Sequence, residues 1–142
     1  MAASGFANAV RAFAERTKTR ATDVARESAR ALYREVVWEA PEASGYLRAS
    51  VRLTSGAPAR IVPGAPQPGR RYTPDLAAEF AAIASARLGE GLFVSVTAAH
   101  GPFVEYGTSR QPPNAFLRRT AMRWPAIVAG VTARLGSGRG TL

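Results

Sequence analysis

A long amphipathic segment at the N-terminus constrains the fold of this 142-residue chain more than any other feature. Between about Gly5 and Val37, apolar residues recur every three or four positions, the spacing that places them on one face of a helix. The members of that face are Phe6, Val10, Phe13, Ala14, Ala21, Val24, Ala25, Ser28, Leu32 and Val36. At about 1.5 Å per residue such a helix would be roughly 50 Å long, which is more than a domain of this size needs. The sequence therefore predicts either a break near Thr17 to Thr22 or a helix that projects to meet a neighbour.

The rest of the chain predicts an α+β domain over residues 1–135. Alternating apolar residues indicate one strand over residues 47–54 and another over residues 92–97. A middle helix is predicted from its cap at Thr73 to Leu88, and a final helical region begins near Asn114 and is restarted or kinked by Pro125. We expect a small, mainly antiparallel sheet of about four strands with the first and last helices packed on it and the middle helix at an edge. The glycine-rich residues 136–142 are expected to form a flexible tail.

A proline-rich segment separates the first strand from the middle helix. Residues 55–72 contain four prolines and three glycines, and only Arg60-Ile61-Val62 resembles a strand. Proline removes a ladder donor, so this segment cannot lie inside a sheet. A loop of this length is uncommon in a compact domain unless it binds something or is disordered before it binds. With Arg60, Arg70 and Arg71 it is predicted to be a loop or flexible basic arm.

The positive charge of the chain favours negatively charged partners but does not distinguish nucleic acid from an acidic protein. The formal net charge is +9, which favours binding to nucleic acid through released counterions. All but one of the basic residues are arginines, however, and arginine pairs with carboxylates as readily as with phosphates. An acidic protein surface is therefore as plausible a partner as DNA.

No arrangement of residues in the sequence predicts catalysis. His100 is the only histidine and cysteine is absent, which excludes disulfides, thiolate metal sites and metal clusters built from several histidines. No two acids have a recognisable general acid and base spacing, and the glycine runs lack the strand, helix and lysine of a phosphate-binding loop. We predict that the protein is not an enzyme and has no catalytic residues, metal or cofactor. No apolar run of about 18 residues is present, so no membrane partner is expected.

The segment Phe103-Val104-Glu105-Tyr106-Gly107-Thr108 is predicted to form a docking corner. Pro102 can start, and Gly107 can stop, a single helical turn. Glu105 is the only acid in residues 91–142, where it is accompanied by several arginines. We therefore expect this carboxylate to be paired, with Arg118 or Arg48, inside the subunit or across a subunit boundary.

Three stretches that follow the N-terminal helix resemble a known family. They are Gly45-Tyr46-Leu47-Arg48-Ala49-Ser50-Val51, Phe103-Val104-Glu105-Tyr106-Gly107-Thr108 and Pro113-Asn114-Ala115-Phe116-Leu117-Arg118. In this order they resemble the neck or tail-completion proteins of long-tailed bacteriophages, prophages and gene transfer agents. The matching positions are Leu47, Arg48 and Ser50 in the strand signature, Glu105, Gly107 and Thr108 in the turn, and Phe116, Leu117 and Arg118 in the following helix. The chain departs from the family in its enlarged 73–88 region and in Arg119-Thr120, where a proline is frequent.

The resemblance implies a structural virion protein that forms a homo-oligomeric, hexameric ring at the head-tail joint. Its partners would be the head connector or stopper and the tail tube or tail terminator proteins, with assembly in the bacterial cytoplasm. DNA would pass through the lumen with only transient, non-specific contacts. The expected interface residues are Arg48, Arg52, Arg60, Arg70, Arg71, Phe103, Glu105, Tyr106, Gly107, Thr108, Arg110 and Arg118. The alternative, supported mainly by charge, is a sequence-independent nucleic-acid-binding protein.

Overall fold

A computed structural model describes residues 2–137 and confirms the α+β class. The described residues form six helices and a two-stranded antiparallel sheet. In chain order the elements are α1 (Ala2–Glu39), α2 (Tyr46–Ala49), β1 (Val51–Ser55), α3 (Leu76–Ala82), β2 (Leu92–Val96), α4 (Gly101–Tyr106), α5 (Phe116–Ala121) and α6 (Trp124–Ser137).

Helix α1 is unbroken. Thr17 and Thr22, at the ends of the segment where the sequence allows a break, donate their hydroxyls to the carbonyls of Phe13 (2.9 Å) and Lys18 (2.8 Å). These bonds to the preceding turn satisfy both hydroxyls while the helix continues through them. Residues 5–20 are solvent-exposed, except for the half-buried Ala14, whereas the C-terminal half of α1 contributes much of the core. The prediction of a projecting helix is therefore confirmed, and its meeting with a neighbour stays a prediction.

The core lies between the C-terminal half of α1 and the sheet. Val51 and Leu53 of β1 are fully buried and pair with Val96 and Val94 of β2. They pack with a cluster on α1 whose fully buried members include Tyr33 and Val36. Every residue of β2 is half-buried, so both of its faces are partly covered.

Helix α6 runs antiparallel to α1 and covers its middle. Near the start of α6, Arg123 pairs with Glu35 of α1 at 3.3 Å. Near its end, Gly136 faces the guanidinium of Arg20. Proline at position 125 is the second residue of α6, which confirms the predicted restart of the final helical region. The predicted tail at 136–142 begins too early, because α6 ends at Ser137; the remainder of that tail lies outside the described residues.

The first predicted strand is too long, because its N-terminal half is the helical turn α2. The amides of Ala49 and Ser50 donate to the carbonyls of Gly45 (2.9 Å) and Tyr46 (3.0 Å), so their hydrogen bonds are satisfied locally instead of across a sheet. The Ser50 hydroxyl also donates to the Leu47 carbonyl at 2.6 Å. Leu47 is buried all the same, which is why an alternating pattern extends back to it.

The prediction of about four strands is wrong, and the proline-rich segment shows why. Residues 56–62 run beside β2, where the amides of Gly56 and Val62 donate to the carbonyls of Gly91 and Thr97, each at 2.8 Å. Only Val62 forms a bridge, parallel to Ala98. Prolines at positions 58 and 63 on either side of this fragment supply no N–H group, so the ladder cannot extend.

The middle helix is shorter than predicted. It is α3, capped by Asp75, whose carboxylate accepts a bond from the Ala78 amide at 3.1 Å, and it ends at Ala82 instead of Leu88. Beyond it Ile83 is fully buried, and Arg26 of α1 donates to the Ala86 carbonyl, so the chain is held on the core in a non-helical course. Helix α3 lies at the outer edge of β1, as expected, where Glu79 accepts a bond from the Leu53 amide at 2.7 Å.

Tyr72 fastens the end of the proline-rich segment to α2. Its amide donates to the Ser44 carbonyl at 2.9 Å, and its ring meets Tyr46 edge-on, with 5.0 Å between centroids. Gly45 permits this approach, since a Cβ built there would stand 2.0 Å from the Tyr72 carbonyl oxygen. Its φ of 85° is also one that residues with a side chain rarely adopt.

We expect Gly45→Ala to destabilise the protein more than Gly56→Ala. Both glycines have a φ of +85°, but a Cβ at Gly56 would meet no atom of the described residues within 4 Å. The control Gly56→Ala should therefore lose only the stability that backbone strain costs, about 1–2 kcal/mol. Gly45→Ala must also displace the Tyr72 backbone and should lose more. Urea unfolding of both variants measures the difference. Equal losses of unfolding free energy in the two variants would show that the close approach of Gly45 to Tyr72 does not contribute to stability.

Candidate functional site

The corner predicted from the sequence is a buried carboxylate that holds α5 against α4. We define the corner as residues 101–121. Glu105 is only 5% exposed, and its two carboxylate oxygens accept bonds from the amides of Leu117 and Arg118, each at 2.9 Å. These amides belong to the first turn of α5, whose N-cap residue supplies no side-chain bond. Glu105 thus supplies acceptors for helix-terminal N–H groups that would otherwise lack partners.

Arg118 is the partner of Glu105, and the pair lies inside one chain. The Arg118 Nε donates to the Glu105 carboxylate at 2.9 Å, and its Nη2 donates to the Glu105 carbonyl at 2.8 Å. The guanidinium also lies over the ring of Tyr106, 4.6 Å from the centroid. Arg118 remains half-exposed, so one face of it is open to solvent beside the exposed Tyr106.

Arg48, the other candidate partner, has a different role. It donates to the carbonyls of Ala40 (2.9 Å) and Trp38 (3.1 Å) and pairs with Glu42 at 3.0 Å. These carbonyls lie at the end of α1, where a cation both satisfies acceptors and matches the helix dipole. Arg48 also lies over the exposed Trp38 ring, 5.4 Å from its centroid. Its place in the motif therefore reflects the capping of α1.

Gly107 ends α4 as predicted and lets the chain turn back on itself. Its φ of 81° and ψ of 175° fall in a region that is essentially restricted to glycine. A Cβ built there would stand 2.7 Å from the Pro113 nitrogen and 2.9 Å from the Gln111 carbonyl oxygen. The turn is closed by the Thr108 amide, which donates to the Gln111 carbonyl at 2.8 Å. The motif glycine is thus required by backbone geometry.

The Glu105 carboxylate makes stability dependent on pH in the acid range. Burial by itself raises the pKa of Glu105, but the bonds from the Arg118 and Leu117 amides and from the Arg118 guanidinium outweigh burial and hold the pKa below the ordinary value of 4.5. A carboxyl with a lowered folded-state pKa stabilises the fold fully above the unfolded-state value. That contribution is lost as the pH falls through the lower, folded-state value.

We therefore expect the free energy of unfolding to fall more steeply below pH 4.5 in the native chain than in Glu105→Gln. The amide has no proton to gain, so the variant lacks this part of the pH dependence. Chemical denaturation at pH 7 and at steps from pH 5 to pH 3 measures both slopes. Parallel profiles for the two proteins would refute the assignment to Glu105.

The other predicted interface residues divide into two groups. Arg52 is engaged within the chain, where it bonds the Ala49 carbonyl at 2.7 Å and pairs with Glu79 at 3.3 Å. Arg70 stacks on Tyr72, 4.9 Å from the ring centroid. Thr108 is exposed but accepts a bond from the Arg110 amide at 3.2 Å. Glu105 and Gly107 belong to neither group, because they lie inside the corner and stabilise its structure. The exposed members without a side-chain partner in residues 2–137 are Arg60, Arg71, Arg110 and Phe103.

Exposed apolar side chains outside the corner form the surfaces that residue motifs did not identify. On the projecting part of α1, Phe6 is 73% exposed, Phe13 64% and Val10 50%. Trp38 and Met122 are also largely exposed. The excessive length of α1 is the sequence signal for the first group; nothing in the local pattern distinguishes Trp38 or Met122 from a core residue.

The described part of the chain contains neither a metal cluster nor a membrane span. No group of three or more histidine, aspartate and glutamate side chains in residues 2–137 is placed to hold a metal ion. Over the same residues, none of the helices is both long and apolar enough to cross a bilayer.

Comparisons with known proteins add no relative. No protein-family model, curated protein or solved structure matches this chain.

Proposed function

We propose that this protein is a structural subunit of the head-tail joint of a tailed phage or phage-like particle, in the manner of neck or tail-completion proteins. In this function copies of the chain form a ring that links the head connector to the tail tube, and DNA passes through the lumen. The protein acts by shape and charge and needs no catalytic group, metal or cofactor.

The observation that carries the proposal is the projecting half of α1. A helix whose apolar side chains lie in water over about four turns gives no stability to the isolated domain, because exposed apolar surface of this kind is stabilising only when a partner covers it. A ring subunit requires such a surface and a different one to receive it on the next copy. Two of the three stretches that resemble the neck family form the corner, which lies beside exposed aromatic and arginine side chains, the composition of strong protein contacts.

The rival function, sequence-independent binding of nucleic acid, rests on the guanidinium groups of Arg60, Arg71 and Arg110, which have no acidic partner within residues 2–137. In the ring these groups would make loose phosphate contacts or pair with acidic neighbours. The two functions differ in affinity for DNA. Tight binding of duplex DNA by the isolated monomer, weakened steeply by salt, supports the rival.

The proposal is tested by locating the chain in particles. The protein is tagged at its C-terminus in the producing bacterium, particles are purified, and the tag is visualised by gold-labelled electron microscopy. We expect label confined to the junction between head and tail. Particles without label, in cells that make the tagged protein, would overturn the proposal.

A further inference from the structure

Two apolar surfaces lie at different positions along α1, one on its projecting part and the other beside its packed half. The first is the stripe, formed by Phe6, Val10 and Phe13 on the projecting part of α1. Helical periodicity places these three side chains on one face. By the same periodicity Arg16 and Arg20 lie along one border of the stripe.

On the other side Ala7 and Ala14 adjoin the stripe, and Arg11 and Lys18 lie further round the helix, so the cations nearest to the stripe are those of the first border. Residues 5–20 contain these four basic side chains and only one acid, Glu15, which pairs with Lys18 at 3.5 Å. The stripe is thus basic along one rim, and a surface that receives it should be apolar with an acidic edge.

The second surface is a shallow groove on the body of the molecule. Its floor includes Ala25 and Ala29, one turn apart on α1, and its walls are Leu32, Leu92, Val94 and Trp124. The single charged residue at the groove is Glu90, which is exposed and has no ion pair in the described residues. Paired small residues one turn apart allow another helix to approach closely.

The groove suits side chains better than a free ligand. Its volume is about 230 Å³, below the range of about 300–1,000 Å³ that small-molecule sites occupy. Its composition is apolar with one acid at the rim, which complements an apolar stripe with a cationic border.

One copy of the chain cannot bring the two surfaces together. Phe13 and Ala25 are twelve positions apart on one unbroken helix, which separates them by roughly 18 Å along a stiff axis. A stripe can therefore reach a groove only on another copy. A contact between two different patches leaves each partner with one free patch, and repetition of it produces a ring or a filament.

We infer that the stripe of each subunit docks in the Ala25, Ala29 and Trp124 groove of the next copy, with Glu90 facing its cations. The inference rests on the proposed function, of which it specifies the contact between subunits. The occupant is a second copy of this chain, bound head to tail.

Two variants remove one patch each. Val10→Asp places an acid in the stripe, and Asn8→Asp is its control on the opposite face of the same helical turn. Ala25→Arg fills the groove with a bulky cation, and Ala12→Arg is its control on an exposed face of α1. Circular dichroism confirms that each variant is folded. Glu90→Arg, on an exposed side chain, is a second groove variant should Ala25→Arg fail to fold.

Sedimentation velocity over a range of concentrations of the full chain decides the inference. The native chain and both controls should self-associate, while Val10→Asp and Ala25→Arg should each weaken association by at least about tenfold. An equimolar mixture of the two weakened variants should give a heterodimer and nothing larger, because it contains one intact stripe and one intact groove.

Three results would overturn the inference. They are a native chain that stays monomeric at all concentrations, a mixture that forms no heterodimer, and full association of the groove variants, which indicates a symmetric pairing of two stripes. Failure here is distinguishable from failure of the proposed function, since gold label at the joint would persist if a different surface formed the ring.

Discussion

Glu105→Ala is expected to lower the free energy of unfolding by about 2–6 kcal/mol. Removal of the carboxylate leaves the amides of Leu117 and Arg118 without their acceptor, and each unsatisfied group of this kind costs about 1–3 kcal/mol. The half-exposed guanidinium of Arg118 adds little, because water replaces its lost partner. The variant should unfold at lower urea concentration with an unchanged slope.

Glu42→Ala is the matched control for this loss. Glu42 also pairs with an arginine, Arg48, at 3.0 Å, but its side chain is 59% exposed. Exposed ion pairs contribute about 0–1 kcal/mol, so the control should be nearly as stable as the native chain. Similar losses in both variants would contradict the role assigned to the buried carboxylate. A stable Glu105→Ala protein that fails only in assembly would show that Glu105 acts at an interface between subunits, as the sequence predicts.

Gly107→Ala is expected to lower the free energy of unfolding about as much as Glu105→Ala, by about 3 kcal/mol or more. The backbone conformation at Gly107 costs other residues about 1–3 kcal/mol, and the new Cβ would also overlap the backbone of Gln111 and Pro113. The Thr108–Gln111 turn must then open, and the first turn of α5 would move away from Glu105. Thermal and urea unfolding both report the loss.

Gly130→Ala provides a control of opposite sign. Gly130 lies inside α6 and is exposed, and no other part of residues 2–137 comes within 4 Å of the point where an alanine methyl group would stand. Alanine in a helix interior is favoured over glycine by about 1 kcal/mol, so this variant should be more stable than the native chain. A Gly107→Ala protein of native stability would show that the chain tolerates a side chain at this turn.

The elements that the sequence predicts well are those whose signals are local and repeated. The periodicity of α1, the alternation in β2 and the Pro102 to Gly107 turn each appear in the structure close to their predicted positions. In each case one pattern of apolar residues or one pair of helix start and stop residues decides the conformation. The pairing of Glu105 with Arg118 is also among the predicted alternatives, since a lone acid among arginines must find one of them.

The errors arise where a tertiary contact overrides a local pattern. Leu47 and Val51 are both buried, yet one lies on a helical turn and the other on a strand, because Gly45 fixes the chain against Tyr72. Helix α3 stops before Leu88 because burial of Ile83 holds the chain on the core. The first contact joins two residues that are distant along the chain, and the second packs one side chain against the core. Neither produces a periodic pattern in the sequence.

The sequence identifies the residues of the candidate site better than it identifies what each residue does. The sequence selects Glu105, Gly107 and Arg118 for an interface, and the structure uses them to build the corner that presents Phe103 and Tyr106. Whether a motif residue supports a surface or forms it depends on burial, and burial is a property of the folded chain. The stripe on α1 is accessible to prediction only through helix length, because its apolar pattern is the same as that of the buried half.

Electron microscopy of particles made without this protein tests the central claim most directly. The coding segment is deleted in the producing bacterium, and lysates are compared with those of a strain that expresses the native chain from a plasmid. We predict DNA-filled heads and separate, complete tails in the deletion strain, and joined particles when the chain is restored. Joined, infectious particles in its absence would contradict a role at the head-tail joint.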